Sequence, residues 1–262
     1  MRALNPIRLI ERVSTKILDG IRLRFIGKGE NVGTQNQKNR EAWLEKVLVD
    51  IAPGKRILDA GAGQLRYKRL CSHLNYVAQD FGRYNGFGDD KGLQTGAWDQ
   101  SKLDIVSDIT KIPEPDGSFD AIMCVEVLEH VPSPVDALRE LSRLLRPNGI
   151  LIVTTPFCSL THYSPYFFQT GFSQNFYQHW FRELGFDIIE ADVNGNYFEW
   201  IAQELRRLPR VAGQYANGSM RWFERQALKR VLGALSRFSH NDCGSEQLLS
   251  YGLHIVARKL GK

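Results

Sequence analysis

The chain has 262 residues, of which 43% are hydrophobic and 24% are charged, and its formal net charge is +5. This composition is ordinary for a globular protein with a sizeable core, and no segment approaches the ~18 consecutive apolar residues of a membrane span. Four widely separated cysteines without a CxxC pair argue against a disulfide framework or a zinc site and favour a reducing cytoplasm.

The first 54 residues are predicted to form a helical extension. Over residues 7–26, apolar side chains recur at helical spacing, with basic side chains mostly on the other faces. Such a helix suits a peripheral contact with an anionic membrane or, as we favour, packing against its own domain or a second subunit. A second helix is predicted over residues 36–51, ended by Pro53 and Gly54.

From residue 55 onward, strand and helix patterns alternate. This alternation predicts one α/β domain over residues 55–262, in which helices cover both faces of a mostly parallel sheet. The predicted strands are residues 56–59, 76–80, 104–107, 119–125, 150–154, 186–193 and 251–258. The predicted helices are residues 65–73, 134–145, 173–184, 197–208 and 220–238, several of them within insertions at 157–248.

One interval breaks the alternation. Residues 81–102 are rich in glycine and aspartate and lack a helical apolar period, although a crossover helix is expected there. Loops of this length inside a compact domain are usually functional or disordered. We predict a lid, because Tyr84, Phe87 and Trp98 could cover a ligand.

The turn after the first strand predicts a cofactor site. The strand ends at Asp59, the turn Gly61-Ala62-Gly63 follows, and residues 64–74 have the pattern of a helix whose N-terminus would face an anionic group. A third glycine is missing, which weakens but does not exclude a nicotinamide dinucleotide. Asp80, at the end of the second strand, could accept hydrogen bonds from two ribose hydroxyls.

Several segments in order resemble a known family. They are ILDAGAG at 57–63, the acidic strand end at Asp80, VSDITKIPEPDGSFDAIMCVEVLEHVPSP at 106–134 and LSRLLRPNGILIVTTP at 141–156. Together they resemble the class I S-adenosylmethionine-dependent methyltransferases of the type 11 subgroup, which includes quinone-biosynthesis-like enzymes. The resemblance covers about residues 55–156.

The resemblance implies a fold, a cofactor and a site. The fold is a Rossmann-like three-layer sandwich with a seven-stranded sheet whose last strand, residues 251–258, is antiparallel. The cofactor is S-adenosylmethionine. Its methionine part would lie near Asp59, Ala60, Gly61 and Gly63, its ribose near Asp80, its adenine near Asp108 and Ile109, and Glu126 would form part of the wall.

The acceptor side carries two candidate catalytic bases, His130 and His162, because imidazole titrates near neutral pH. His162 lies in an aromatic-rich segment, and residues 161–208 loosely resemble methyltransferases encoded with bacterial surface-polysaccharide biosynthesis genes. A sugar hydroxyl is therefore one predicted acceptor. No carboxylate cluster with metal-ligand spacing is evident, so a metal-independent reaction is predicted.

The leading interpretation is O-methylation of a small molecule or glycan. One alternative is an N- or C-methyltransferase, which would bind S-adenosylmethionine with the same residues. A second is a non-catalytic protein that keeps the fold while its basic helices contact a membrane or a partner. A nucleic-acid methyltransferase is disfavoured, because the chain has no Asn-Pro-Pro-Tyr-type run and no evident basic groove. A homodimer remains open.

Overall fold

A computed structural model describes residues 31–261, so the helix predicted at 7–26 lies outside the described residues. Internal contacts divide the chain into two compact units. One comprises Asn36–Asn194 and the chain from Leu249 onward, and the other comprises Gly195–Leu248 with the described residues before Asn36. These boundaries differ from the predicted one between residues 54 and 55, because the helix that begins at Asn36 shares a core with the sheet.

The first unit is built on a seven-stranded sheet in the spatial order β3-β2-β1-β4-β5-β7-β6. The strands are β1 (Arg56–Ala60), β2 (Asn75–Asp80), β3 (Ile105–Val106), β4 (Phe119–Val125), β5 (Leu145–Pro156), β6 (Phe186–Asn194) and β7 (Gly252–Lys259). Pairing is parallel from β3 through β5, whereas β7 is antiparallel to both of its neighbours. The predicted Rossmann-like sheet with an antiparallel last strand is confirmed.

Helices cover both faces of this sheet. They are α1 (Asn36–Val49), α2 (Pro134–Leu144) and α3 (Gln174–Glu183). Side chains alternate between the two faces along β4, so Ile122 joins a core with α2 and α3, whereas Met123 joins a core with α1. The two apolar layers and the sheet between them make the predicted three-layer sandwich.

The segment after the glycine turn is not the α-helix predicted at 65–73. It consists of turns and a short 3-10 helix, Lys68–Cys71. Leu65 has a φ of 59°, in the left-handed region, which a right-handed helix cannot contain. The prediction was wrong because apolar spacing does not report this backbone conformation. The anion-binding helix N-terminus expected behind Gly63 is therefore not formed.

The second unit contains two long helices, α4 (Tyr197–Tyr215) and α5 (Trp222–His240). They share a small apolar core that includes Ala202, Leu232 and Leu235. The side chain of Asn196 caps α4 by accepting a hydrogen bond from the backbone N–H of Glu199 at 3.0 Å. Among the helices of residues 31–261, none has the length and apolar character needed to cross a membrane.

Candidate active site

A cleft lies at the carboxyl ends of β1, β2 and β4. This edge is where open α/β sheets bind their ligands. Five of the eight predicted cofactor residues line the cleft: Gly61, Asp80, Asp108, Ile109 and Glu126. A larger cleft lies at the opposite edge of the sheet, but we do not assign it to a cofactor, because it is at the amino ends of the strands.

Asp59 does not line the cleft. Its side chain lies on the face of β1 that packs towards α1, and its carboxylate accepts a hydrogen bond of 2.5 Å from the Tyr76 hydroxyl. Burial raises the pKa of Asp59 to about 7, although the Tyr76 hydrogen bond opposes this effect. Ala60 is also fully buried in β1 and outside the lining. Their contact with a cofactor stays a prediction.

Asp80 is the buried carboxylate of the cleft. Its Oδ2 accepts a hydrogen bond from the Gly63 N–H at 3.0 Å, and its Oδ1 accepts from the Gly82 N–H at 2.9 Å and from Gln100 Nε2 at 3.1 Å. Burial raises the pKa of Asp80, and these hydrogen bonds oppose the increase. Gly63 therefore contributes through its contact with Asp80 and does not line the cleft itself.

The segment 81–102 forms the roof of the cleft. As predicted, it contains no helix, and three of its four aromatic residues, Phe81, Tyr84 and Trp98, line the cleft together with Tyr163. The ring centroids of Tyr84 and Trp98 are 4.9 Å apart, and those of Tyr84 and Tyr163 are 4.8 Å apart. Phe87 is instead half exposed. That the segment opens and closes as a lid stays a prediction.

The roof is connected to the segment that follows β5. The Leu93 N–H donates to the Thr161 carbonyl at 3.0 Å, the Tyr163 N–H donates to the Leu93 carbonyl at 3.1 Å, and the Asp89 N–H donates to the Ser164 carbonyl at 3.1 Å. These backbone hydrogen bonds place the roof beside the predicted acceptor segment.

A substitution at Gly86 should loosen the roof. Gly86 has a φ of 94°, and a Cβ there would collide with the Gly96 carbonyl oxygen. We expect trypsin to cleave native-state Gly86→Ala at Lys91 at least about fivefold faster than Gly96→Ala. Gly96 is the matched control, because its φ is 86° but no atom lies within 4 Å of its added Cβ. Equal cleavage rates for the two variants would show that the collision with the Gly96 carbonyl does not loosen the roof.

Glu126 follows β4 and is held by two partners. Its Oε1 accepts a hydrogen bond from Thr154 Oγ1 at 2.9 Å, and its Oε2 lies 2.8 Å from an Arg40 guanidinium nitrogen. Arg40 belongs to α1 and is largely buried. The wall of the cleft thus contains a compensated ion pair.

The two predicted bases lie next to each other, but only His130 lines the cleft. The ring centroids of His130 and His162 are 4.6 Å apart. Glu129, which is fully buried, lies beside both rings. Glu129 Oε1 is 3.7 Å from His130 Nε2 and 4.0 Å from His162 Nε2.

Burial dominates the electrostatics of this cluster. It lowers the pKa of His130 to about 3, with a further decrease from His162. It also raises the pKa of Glu129 well above its usual range, and the nearby Glu126 carboxylate adds to the increase. His130 is therefore a neutral imidazole near neutral pH.

The sequence analysis missed two charged residues at the site, Glu129 and Arg40. The available signal for Glu129 was its position directly before His130, in a segment that resembles the family. The sequence offers no such signal for Arg40. Its contact with Glu126 forms only when α1 packs against the sheet in the folded unit.

The central segment of the chain is similar to known proteins. A family model described as a methyltransferase domain matches residues 58–153, which run from β1 into β5. A ubiquinone biosynthesis O-methyltransferase from Xanthomonas oryzae pv. oryzae (strain PXO99A) is 29% identical over 156 residues, or 59% of this chain and 51% of that protein. The chain thus spans about half the length of the curated relatives it matches.

Solved structures share the fold at low identity. An S-adenosylmethionine-dependent methyltransferase from Archaeoglobus fulgidus has a TM-score of 0.52 and 14% identity, with 85% of this chain and 94% of that chain covered. The [4+2]-cyclase SpnF has a TM-score of 0.52 and 18% identity, with 89% and 86% covered. Because one of these neighbours is named a cyclase, the likeness shows the fold alone. The family match shows that residues 58–153 are similar to a methyltransferase domain.

Proposed function

We propose that this chain is an S-adenosylmethionine-dependent methyltransferase whose acceptor is a hydroxyl group of a small molecule or glycan. One observation carries the proposal: the methyltransferase-domain match spans the strands whose carboxyl ends form the cleft around the buried carboxylate of Asp80. The name of the curated relatives, which are O-methyltransferases, supports a hydroxyl acceptor.

The residues of the cleft fit this cofactor. Position 61 requires glycine, because a Cβ there would collide with the Val127 side chain. Without a side chain, the backbone of Gly61 is accessible to a ligand in the cleft. Gln79 presents a buried Oε1 without a hydrogen-bond partner among the described residues, which suits a donor on a ligand. Gln100 donates to Asp80 from the roof, and two ribose hydroxyls could replace this amide.

The remaining predicted residues keep their proposed roles. Asp108 and Ile109 follow β3 and line the cleft beside Asp80, which supports their assignment to the adenine end. Glu126 forms the wall on the side of β4. Since no α-helix begins after Gly63, the methionine carboxylate would find no helix dipole at this turn. The N–H groups of Gly61 and Ala62 already donate to the Gln79 carbonyl.

When bound, S-adenosylmethionine supplies a methyl group on a positively charged sulfur. The chain has to align the acceptor with that group, exclude water and remove the hydroxyl proton. Tyr163 and Tyr166 line the acceptor side, where aromatic rings can pack against a phenolic ring or a sugar face. His162 is the proposed group for acceptor activation, whereas His130, whose pKa burial lowers to about 3, is proposed to position the acceptor.

Two assays test the proposed function. Isothermal titration calorimetry with S-adenosylmethionine should detect one site per chain, with a dissociation constant within the ~1 μM to 1 mM range typical of enzyme ligands. Transfer of a labelled methyl group should then occur to members of a panel of phenols and sugars, but not to amines. Absence of cofactor binding would contradict the proposal, and a label on nitrogen or carbon would contradict the hydroxyl acceptor.

A further inference from the structure

We propose that Glu129, His130 and His162 form a binding site for one divalent transition-metal ion. One carboxylate oxygen and two imidazole nitrogens, one from each residue, lie within 4.8 Å of one another. Glu129 and His130 belong to the 3-10 helix Leu128–His130 that follows β4, and His162 belongs to the segment that follows β5. Two neighbouring strand ends thus bring three ligand atoms together.

The hydrogen bonds of the two imidazoles fix their tautomers. His130 Nδ1 is 2.6 Å from the Tyr166 carbonyl oxygen, and His162 Nδ1 is 2.8 Å from the Leu160 carbonyl oxygen. A carbonyl can only accept, so each Nδ1 carries the hydrogen and donates it. Each neutral ring then presents the lone pair of Nε2 to Glu129. Metal-bound histidines usually have this arrangement, with the second ring nitrogen donating to a backbone carbonyl or a carboxylate.

Three buried polar atoms of Glu129 and His130 have no hydrogen-bond partner among the described residues. Both carboxylate oxygens of Glu129 and the Nε2 of His130 are buried without any donor or acceptor among the described residues. Buried polar groups of this kind are rare, because each costs free energy unless it is paired. A divalent cation bound by a Glu129 oxygen and by His130 Nε2 would pair polar atoms that the described residues leave unpaired.

The ligand set indicates the class of metal. Two imidazoles and one carboxylate suit zinc, manganese, cobalt or ferrous iron better than calcium or magnesium, which prefer ligands that are all oxygen. Ligands at ~2.1 Å from a tetrahedral metal are roughly 3.4 Å apart. The two Glu129–imidazole separations are 3.7 and 4.0 Å, and all three ligand atoms lie within 4.8 Å of one another, so metal binding requires the side chains to move closer together by up to ~1.4 Å. Glu126 is not assigned as a ligand, because Arg40 and Thr154 already hold its carboxylate.

The position of this cluster gives the metal a role that rests on the proposed methyltransferase function. His130 lines the cleft beside Tyr163 and Tyr166, on the acceptor side. Three protein ligands leave at least one coordination position open, as in catalytic metal sites. A hydroxyl bound there would lose its proton more readily, because the cation stabilises the alkoxide or phenolate. This inference replaces the metal-independent reaction predicted from the sequence.

Metal binding can be measured without catalysis. The tag-free full-length chain is stripped with a chelator, dialysed and titrated with Co²⁺, with visible absorption as the readout, and with Zn²⁺ by calorimetry. We expect one ion per chain, and we expect Glu129→Gln and His162→Ala each to weaken binding by about 10- to 100-fold. His179→Ala is the control, since His179 is exposed on α3 and away from the cluster.

The outcomes separate this inference from the proposed function. Absence of binding by the native chain, or equal affinities of His162→Ala and His179→Ala, would overturn the metal site. His162 is partly exposed, and thermal unfolding of His162→Ala shows whether the variant keeps the fold. Cofactor binding by the metal-free chain is measured in parallel. If S-adenosylmethionine binds but no metal does, only the metal site fails. If metal binds but S-adenosylmethionine does not, the proposed function fails.

Activity provides a further readout. The chelated chain should retain its affinity for S-adenosylmethionine and lose at least about tenfold in kcat with the hydroxyl acceptor, and Zn²⁺ or Mn²⁺ should restore the rate. Full turnover after complete removal of the metal would contradict the activating role.

Discussion

An Asp80→Ala variant is expected to bind S-adenosylhomocysteine about 100-fold more weakly than the native chain. The buried carboxylate of Asp80 is the acceptor proposed for the ribose hydroxyls, and hydrogen bonds to a charged acceptor contribute ~1.5–3 kcal/mol each. The substitution also removes the acceptor for the Gly63 and Gly82 N–H groups, so the turn after β1 should lose part of its support. Calorimetry measures the affinity, and thermal unfolding shows whether the fold is retained.

Two controls identify the ribose as the group that Asp80 recognises. Asp187→Ala should bind like the native chain, because Asp187 is exposed on β6 at the far edge of the sheet. An S-adenosylhomocysteine analogue without ribose hydroxyls should bind the native chain and Asp80→Ala with nearly equal affinity. If the variant loses affinity for both ligands equally, Asp80 acts only by shaping the turn and does not contact the ribose.

The sheet could be predicted because its central strands are buried on both faces. Such strands read as nearly continuous apolar runs, and β4 is buried at almost every position. The short 3-10 helix Lys68–Cys71 could not be predicted in place of an α-helix. The left-handed backbone conformation of Leu65 prevents an α-helix here, and the pattern of apolar residues does not report that conformation. Local conformation at a single residue thus decides whether an anion-binding helix exists.

The site was only partly predictable from the same sequence. Asp80 and Asp108 could be assigned because they follow strands, and the carboxyl ends of parallel strands meet at one edge. The cofactor contact predicted for Asp59 stays a prediction, because the alternation of side chains along β1 directs its carboxylate towards α1 and away from the cleft lining. The contact of Glu129 with His162 depends on two loops that meet only in the folded chain.

An Asp59→Asn variant is expected to be more stable than the native chain at alkaline pH, and the difference should grow by about 3 kcal/mol between pH 5 and pH 8. The pKa of Asp59 is about 7 in the folded chain, above the ~3.9 of an unfolded aspartate. Below pH ~4 the carboxyl is protonated in both states and carries no penalty. Between pH ~4 and 7 the unfolded state loses the proton first, so the folded state becomes progressively less favoured.

The same variant separates a structural role from cofactor contact. Asparagine keeps an oxygen that can accept from the Tyr76 hydroxyl, but it cannot ionise, so the pH-dependent penalty disappears. Urea unfolding at several pH values measures the difference, and Asp187→Asn, at an exposed site, should show no such trend. Affinity for S-adenosylhomocysteine at pH 8 should stay within about twofold of the native value, because Asp59 lies outside the cleft lining. A loss of more than tenfold would instead place its carboxylate in contact with the cofactor, as the family resemblance implies.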